Sequence, residues 1–270
     1  MEKINFSELR KLLPGVQKNV LLKNYTTFRI GGRAKYFFIA KIKKDLIKAV
    51  AMAKKLNPVR DKSLSGVKLP FFILGGGSNV LVSDKGYKGL VIKYQISNIK
   101  CQIKSKIQIS KIYVEAGVLL SAVVSEATKN NLSGLEWAIG IPGTVGGAVF
   151  GNAGSFGKSM KNVVEKVEVF DINELRIKNY ELSDCKFGYR DSVFKKNKNL
   201  IILSVVLKLK KGIKLEIQKR TKKYLNYKKE TQPLNYPSVG SIFKNPPGFS
   251  AGELGEENKF SSSATEPRPR

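Results

Sequence analysis

The chain has 270 residues, and its 49 Lys and Arg against 21 Asp and Glu give a formal charge of +28. At about 150 residues per domain, this length predicts roughly two structural units. The sequence contains no histidine, which excludes Ser-His-Asp and Cys-His catalysis and histidine metal sites. Its two cysteines stand outside any CxxC motif, so neither a disulfide framework nor a zinc site is expected. We therefore expect any chemistry to depend on an imported cofactor.

The high positive charge admits a nucleic-acid partner, because Lys and Arg neutralise phosphates and release counterions. Only nine of the 49 basic residues are Arg, however, and surfaces that read bases or clamp phosphates favour the Arg fork over Lys. We therefore favour a general lysine bias and expect no nucleic-acid partner. Nucleic-acid binding is kept as the alternative.

The N-terminus and the hydropathy of the chain indicate a cytoplasmic protein. Residues 1–4 form no apolar signal region. No stretch approaches the roughly 20 apolar residues of a membrane span. We expect cytoplasmic localisation without membrane insertion.

Hydrophobic periodicity predicts a mixture of helices and strands along the chain. The predicted helices are residues 6–14, 43–56, 119–130 and 214–230. The predicted strands are residues 36–39, 70–74, 111–116, 164–170, 176–182 and 201–209, and an extended segment is predicted over 233–247. Because regular βαβ alternation is missing, the pattern favours an α+β class over a doubly wound sheet.

Two segments lack this hydrophobic periodicity. Residues 57–66 are polar and rich in turn formers, which is typical of a loop insertion between a helix and a strand. Residues 256–270 have low complexity and almost no apolar content, and we expect them to be disordered.

A first glycine-rich turn directly follows the apolar strand at residues 70–74. It reads Gly75, Gly76, Gly77, Ser78 and Asn79. Glycines allow a tight turn in which backbone N–H groups converge on an anion such as a phosphate. Taken alone, such a turn is as often a plain structural connection.

A second and richer glycine stretch covers residues 140–154. So many small residues indicate a backbone pressed against a flat or extended ligand, although a tight loop packed on a helix is the alternative. The chain has no GxGxxG after a strand, and the P-loop ending at Ser159 fails because Asn152 stands where its first glycine is required. Two separate glycine-rich turns suit a long diphosphate cofactor better than a simple nucleotide.

Five motifs in one order make the sequence recognisable. They are NYTTFRIGG at 24–32, GGGSN at 75–79, GIPGTVGGAVFGNAG at 140–154, YRDS at 189–192 and GSIFKNP at 240–246. Together they resemble the UDP-N-acetylenolpyruvoylglucosamine reductase (MurB) family, flavoenzymes of peptidoglycan precursor synthesis. The resemblance covers residues 24–254. It implies an α+β, FAD-binding fold of the vanillyl-alcohol-oxidase (PCMH) type with a smaller domain that closes over the substrate.

The resemblance also implies a domain division. FAD-binding subdomain 1 is expected over residues 1–93 and FAD-binding subdomain 2 over 94–212. A partial substrate-binding domain is expected over 213–254, followed by a disordered tail over 255–270.

The resemblance implies FAD as cofactor, NADPH as hydride donor and a UDP-sugar with an enolpyruvyl group as substrate. The residues implied to bind FAD are Arg29, Gly75, Gly76, Gly77, Ser78, Asn79, Gly140, Ile141, Pro142, Gly143, Thr144, Gly146, Gly147, Ala148, Gly151, Asn152 and Ala153. Backbone N–H groups within residues 75–79 and 140–153 would meet the diphosphate and the edges of the flavin.

The same resemblance assigns the chemistry to two side chains. Arg190 would stabilise the negative charge that develops beside the substrate carboxylate, because a guanidinium stays cationic and forms a bidentate clamp. Ser241 matches the proton donor of the family, a role that needs a dry, preorganised site. Tyr189, Lys244 and Asn245 would contact the substrate. Taken singly, the YRDS and GSIFKNP runs also suit an ordinary salt-bridged turn and an ordinary strand and turn.

The sequence departs from the family after the KNP motif. The family carries a further segment there, with a glutamate that assists proton transfer, and no residue of this chain can be assigned to it. Residues 251–254 resemble the start of that segment before the match ends. We expect a truncated or frameshifted reading frame. Three hypotheses follow: a reductase compromised at its C-terminus, a non-catalytic remnant that binds flavin or UDP-sugar, and a lysine-rich nucleic-acid binder.

Overall fold

The computed structural model describes residues 5–55, 69–96, 102–105, 109–232, 235–246, 248–249, 251–252 and 254–255. The predicted insertion at 57–66 and the predicted tail at 256–270 lie outside these residues. The helices and strands, in chain order, are α1 (Phe6–Leu12), β1 (Gln17–Leu21), β2 (Arg33–Ala40), α2 (Lys43–Lys55), β3 (Phe71–Leu74), β4 (Tyr87–Tyr94), β5 (Gln102–Ser105), β6 (Ile109–Glu115), α3 (Leu120–Lys129), β7 (Leu132–Ser133), α4 (Val145–Phe150), β8 (Gly154–Ser155), β9 (Lys158–Ser159), β10 (Val164–Asp171), β11 (Arg176–Glu181), α5 (Val193–Lys196), β12 (Leu200–Lys211) and α6 (Lys214–Thr231).

The α+β class and the predicted elements are confirmed. Each predicted helix and strand is present with ends that differ by a few residues at most. Within residues 235–246, part of the predicted extended segment, the chain forms neither helix nor strand. The prediction omitted the strands β1, β4, β5, β7, β8 and β9 and the helices α4 and α5.

The first sheet has the strand order β1-β2-β4-β3. Strands β2, β4 and β3 run parallel, and β1 is antiparallel to β2. Helix α2 connects β2 to β3, so one local βαβ unit lies within the α+β fold. The buried side chains of helix α2 recur at helical spacing and form one continuous apolar face; they are Leu46, Ala49, Val50 and Ala53.

The second sheet is antiparallel, with the order β11-β10-β12-β6-β5 and with β7 paired to the end of β12. Helices α3 and α4 and the buried Trp137 share its hydrophobic core. Cys185 also lies in this core, where burial raises the pKa of its thiol to about 12. At neutral pH this thiol is therefore no nucleophile.

The two sheets share a second hydrophobic cluster. Phe38 and Leu46 from the first half of the chain pack in this cluster with Phe170 and Leu203 from the second. Polar contacts reinforce the junction, since the Tyr94 hydroxyl donates a 2.6 Å hydrogen bond to Glu115. The sites that each half presents are therefore held in a fixed relation by packed core.

Helix α6 docks on the second half of the molecule. The Arg220 guanidinium pairs with the buried Glu136 carboxylate at 2.9 Å, and the Tyr224 ring stacks on Phe156 at 4.2 Å between ring centroids. Burial tends to raise the pKa of Glu136, but hydrogen bonds from backbone N–H groups, Arg220 and Ser133 outweigh it and hold the pKa low. No helix in the described part of the chain is long and apolar enough to cross a membrane.

Candidate cofactor and substrate site

The two glycine-rich turns meet backbone to backbone. A Cβ on Gly76 would lie 2.6 Å from the Gly143 Cα, and a Cβ on Gly143 would lie 2.7 Å from the Ser78 Oγ. The Ser78 hydroxyl donates to the Pro142 carbonyl at 3.0 Å, which joins the turns directly. We call residues 75–79 and 140–144 together the cradle.

The cradle presents backbone donors. The N–H groups of Gly76, Gly77, Ser78, Gly143 and Thr144 find no acceptor among the residues that the structure describes. Clustered, unpaired N–H groups in a glycine-rich turn form a concave site for an anion. This donor set fits the diphosphate of FAD, and a side chain at Gly76 would fill the space between the turns.

A third segment closes one side of the cradle. The Thr27 N–H donates to the Gly77 carbonyl at 3.0 Å, and a Cβ on Gly77 would lie 2.0 Å from the Tyr25 carbonyl oxygen. Arg29 follows with a left-handed φ of 55° and an exposed side chain. Thr27 and Tyr25 thus contact the turn at Gly77, and Arg29 lies two residues after Thr27.

The rest of the second glycine stretch lies behind the cradle. Its members are Gly146, Gly147, Ala148, Gly151, Asn152 and Ala153. Gly146 packs against Ala116, whose Cβ would be 2.7 Å from an added Cβ. The buried Asn152 amide donates to the Gly188 carbonyl at 2.7 Å and accepts from the Lys161 N–H at 3.0 Å. Both ends of that side chain are engaged within the protein, so only its backbone is left for a ligand.

Arg190 lies on a strained turn next to α4. Its φ of 54° is left-handed, and its Nη2 donates to the Gly154 carbonyl at 3.0 Å. The guanidinium stands 5.9 Å from the Tyr189 ring centroid, and Lys195 Nζ donates to the Arg190 carbonyl at 3.1 Å. Among the described residues no acceptor is recorded for the other guanidinium N–H groups, which leaves them available to an anion.

The next residue, Asp191, is held ionised by its surroundings. A hydrogen bond from Lys196 lowers the pKa of the Asp191 carboxyl, and the charge of Lys244 adds a smaller effect in the same direction. Lys196 Nζ and the carboxylate are 2.9 Å apart. The residue after Lys244, Asn245, contacts Tyr189 in the turn that carries Arg190.

Residues 235–246, which we call the strap, cross from the cradle to the Arg190 turn. Thr27 Oγ1 donates to the Ser238 carbonyl at 2.6 Å, and the Ser238 N–H donates back to the Thr27 carbonyl at 3.2 Å. At the other end, the Asn245 N–H donates to the Tyr189 hydroxyl at 3.2 Å. Ser241 lies between these two anchors and is exposed.

The sequence analysis missed Lys93, which lies directly behind the cradle. It is 8% exposed, and its Nζ donates to the Gly75 carbonyl at 2.9 Å. The sequence contained a signal for this residue, because the lysine stands between the apolar run Leu90 to Ile92 and Tyr94 within one strand. Charged side chains are almost never buried without a partner, so such an interruption marks a position to explain.

The FAD binding domain family matches residues 34–175, more than half of the chain. The fold and the cradle thus define an FAD-binding protein. The UDP-N-acetylenolpyruvoylglucosamine reductase of Caldanaerobacter subterraneus is 42% identical over 241 residues, which cover 88% of this chain and 73% of that protein. That of Clostridium tetani is 39% identical over 244 residues, 90% of this chain and 73% of the relative. The chain belongs to the UDP-N-acetylenolpyruvoylglucosamine reductase family.

Solved structures agree with this assignment. The UDP-N-acetylenolpyruvylglucosamine reductase of Thermus caldophilus superposes with a TM-score of 0.71 at 36% identity, covering 90% of this chain and 80% of that one. A cholesterol oxidase from Brevibacterium sterolicum, at 12% identity and a TM-score of 0.53, shares the fold over 73% of this chain and 37% of its own. The α+β, FAD-binding fold expected from the motifs is confirmed.

Proposed function

We propose that this chain is an NADPH-dependent flavoenzyme that reduces the enolpyruvyl group of UDP-N-acetylglucosamine enolpyruvate to UDP-N-acetylmuramate. Family membership supports the reaction. The observation that carries it is the strap, which links the cradle at Thr27 to the Arg190 turn at Tyr189. The proposed cofactor site and the proposed substrate site are thereby connected by one segment of the chain.

The cradle is the proposed seat of the FAD diphosphate. Its backbone N–H groups lack acceptors among the described residues, and its glycines allow the two turns to approach closely. Arg29, which is exposed two residues after Thr27, is proposed to add a cation to this site. The chemistry that FAD supplies when bound is hydride transfer. The remaining cofactor assignments are backbone contacts along residues 140–153.

Arg190 is the proposed anion clamp for the substrate. Its guanidinium is anchored at one nitrogen by the Gly154 carbonyl, which orients the remaining N–H groups. Reduction of the enolpyruvyl double bond builds negative charge beside the carboxylate, and a preoriented guanidinium stabilises that charge as it develops. The fixed left-handed backbone at this residue is the kind of strain that functional sites retain.

Ser241 is the proposed proton donor to the substrate carbon. Addition of a hydride to one carbon of the double bond leaves a carbanion on the other, and a proton must quench it. A serine hydroxyl is a weak acid in water, so this step needs the strap to exclude solvent when the substrate binds. Asn245 and Lys244, close to Tyr189 and Asp191, are proposed to hold polar groups of the UDP-sugar.

We further propose the domain division expected from the sequence. Residues 1–93 carry the first glycine turn, residues 94–212 carry the second glycine turn and Arg190, and residues 213–254 carry α6 and the strap. This division gives each unit one part of the site. Cytoplasmic localisation, with small molecules as the partners and without nucleic acid or membrane insertion, is proposed with it.

The test is a purified chain assayed with NADPH, with and without the enolpyruvyl substrate, and product identification by mass spectrometry. The proposal predicts a yellow protein that, under anaerobic conditions, consumes NADPH beyond one equivalent per flavin only when substrate is present. A yellow protein that is inert supports a flavin-binding remnant instead. A colourless protein whose affinity for DNA falls steeply with salt would support the nucleic-acid alternative and contradict both.

A further inference from the structure

Lys93 is a charged residue where the fold calls for an apolar one. It lies on central strand β4, with Ile39 of β2 on one side and Leu74 of β3 on the other. Its side chain enters the face of the sheet that carries the apolar cluster of Phe37 and Val91. A methionine or leucine would fill this space without the cost of burying a cation.

The ammonium of Lys93 has a specific partner. Nζ donates to the Gly75 carbonyl at 2.9 Å and stands 5.7 Å from the Tyr25 ring centroid. None of the ion pairs in the described part of the chain involves Lys93. Burial lowers the pKa of this lysine from its ordinary value, which reflects the energetic cost of the position. The side chain therefore places a buried positive charge on the first carbonyl of the cradle.

Anchoring this carbonyl fixes the direction of the next N–H group. The Gly75 carbonyl and the Gly76 N–H belong to one planar trans peptide, in which C=O and N–H point in opposite directions. Because Lys93 holds the carbonyl toward the sheet, the Gly76 N–H is directed away from the sheet and into the cradle. That N–H is one of the donors without an acceptor among the described residues.

We propose that Lys93 is a positioning residue for the cofactor diphosphate: it orients the Gly75–Gly76 peptide and adds positive charge behind the cradle. The proposal rests on the proposed function, because it takes FAD to be the ligand of the cradle. A positive charge without a carboxylate partner favours an anion placed at the turn in front of it. A purely structural lysine would stabilise the fold without distinguishing one flavin from another.

The test compares FAD with riboflavin, which lacks the diphosphate, as ligands of apoprotein in fluorescence-quenching titrations. Lys93→Met should weaken FAD binding about tenfold or more, because the Gly75–Gly76 peptide loses the charged group that orients it. Riboflavin affinity should stay within about twofold of wild type. Lys93→Arg, which keeps the charge, should retain part of the FAD affinity. The matched control is Lys54→Met, because Lys54 also donates to a carbonyl, that of Ile172, away from the cradle.

Equal loss of affinity for FAD and riboflavin, or no loss for either, overturns the proposal. So does an equal effect of Lys54→Met on FAD binding. The thermal unfolding temperature of each apoprotein distinguishes a variant that has lost its fold from one that has lost only the binding site. If Lys93→Met does not fold, Lys93→Arg decides. A larger loss of affinity for FAD than for riboflavin in this variant supports the proposal, and equal losses contradict it. Failure of the proposed function is separate, since it appears as wild-type protein that binds FAD without consuming NADPH.

Discussion

The cradle and the strap are built in opposite ways. The cradle is made of backbone pressed against backbone, with Gly76 and Gly143 in contact and Lys93 anchored behind them. The strap is exposed, with Ile242 73% and Phe243 76% accessible. It is tied to the rest of the molecule by hydrogen bonds near its two ends. This difference indicates that the proposed cofactor side is preorganised by packing, whereas the proposed substrate side is held mainly at two hydrogen-bonded anchors, so cofactor binding and turnover should separate by mutation.

The largest expected effect on cofactor binding comes from a change that breaks the cradle. A valine at position 76 forces the turn off Gly143, because its Cβ would lie 2.6 Å from the facing Cα. Overpacking of this kind costs about 1–3 kcal/mol, so FAD affinity of Gly76→Val should fall up to ~100-fold. Fluorescence titration of apoprotein with FAD measures this loss.

Gly188→Ala is the control for this change. An added Cβ there meets only the Asp191 Cβ, at an ordinary contact distance of 3.5 Å. Its FAD affinity should stay within about twofold of wild type. Wild-type affinity in Gly76→Val would show that the turns need not touch for FAD to bind.

The next effect isolates the strap. Ser241→Ala removes the proposed proton donor, and loss of a positioned general acid lowers the rate of substrate reduction by about 10²–10⁴-fold. FAD affinity should stay within about twofold, because Ser241 lies outside the cradle. Stopped-flow traces measure flavin reduction by NADPH and flavin reoxidation by substrate separately, and a fluorescence titration measures FAD affinity. An unchanged substrate half-reaction would remove Ser241 from the chemistry.

A pH experiment tests how α6 is held beside the cradle. Lys228 is 6% exposed and donates to the Ile139 carbonyl at 2.6 Å, next to Gly140. Burial lowers the pKa of its ammonium from 10.5 to about 8. Between these values the unfolded chain binds a proton that the folded chain lacks, so wild-type stability rises with pH in this window.

Relative to Lys228→Met, the unfolding free energy of wild type should therefore increase from pH 8 toward pH 10.5. Below pH 8 both states carry the proton and the difference should be flat. Urea unfolding of both proteins across this range measures it. A difference that stays constant with pH would show that Lys228 titrates normally.

The smallest effect concerns the far anchor of the strap. Tyr189→Phe removes the hydroxyl that accepts the Asn245 N–H at 3.2 Å. A net contribution of about 0.5–1.5 kcal/mol predicts a KM for the UDP-sugar raised about 2–10-fold. The rate of flavin reduction by NADPH should be that of wild type. A raised FAD dissociation constant instead would place Tyr189 with the cradle.

Much of the site was predictable because its signals are local. The apolar strand before Gly75 and the density of small residues after Gly140 mark two turns wherever the chain folds. Helix α4 was missed because Gly146 and Gly147 disfavour a helix. Tertiary contact overrides that preference, since a side chain at 146 would collide with Ala116 and the Thr144 hydroxyl caps the first turn.

Contacts between residues far apart in the chain could not be predicted from the sequence. Periodicity does not show that Lys93 reaches the Gly75 carbonyl, or that Thr27 holds Ser238 across 211 positions. The parallel pairing of β3 and β4 places Lys93 beside Leu74, directly before the turn that begins at Gly75. Composition indicated lysine bias, while the fold places the buried Lys93 against the Gly75 carbonyl behind the cradle.

The most direct measurement of the central claim is the visible flavin spectrum of the purified chain under anaerobic conditions. NADPH should bleach the spectrum, and addition of UDP-N-acetylglucosamine enolpyruvate should restore it with formation of one product per flavin. Gly76→Val should retain less flavin than the wild type after purification, and Ser241→Ala should bleach without recovering at the wild-type rate. Bleaching of the wild-type protein with no recovery on substrate would contradict the account.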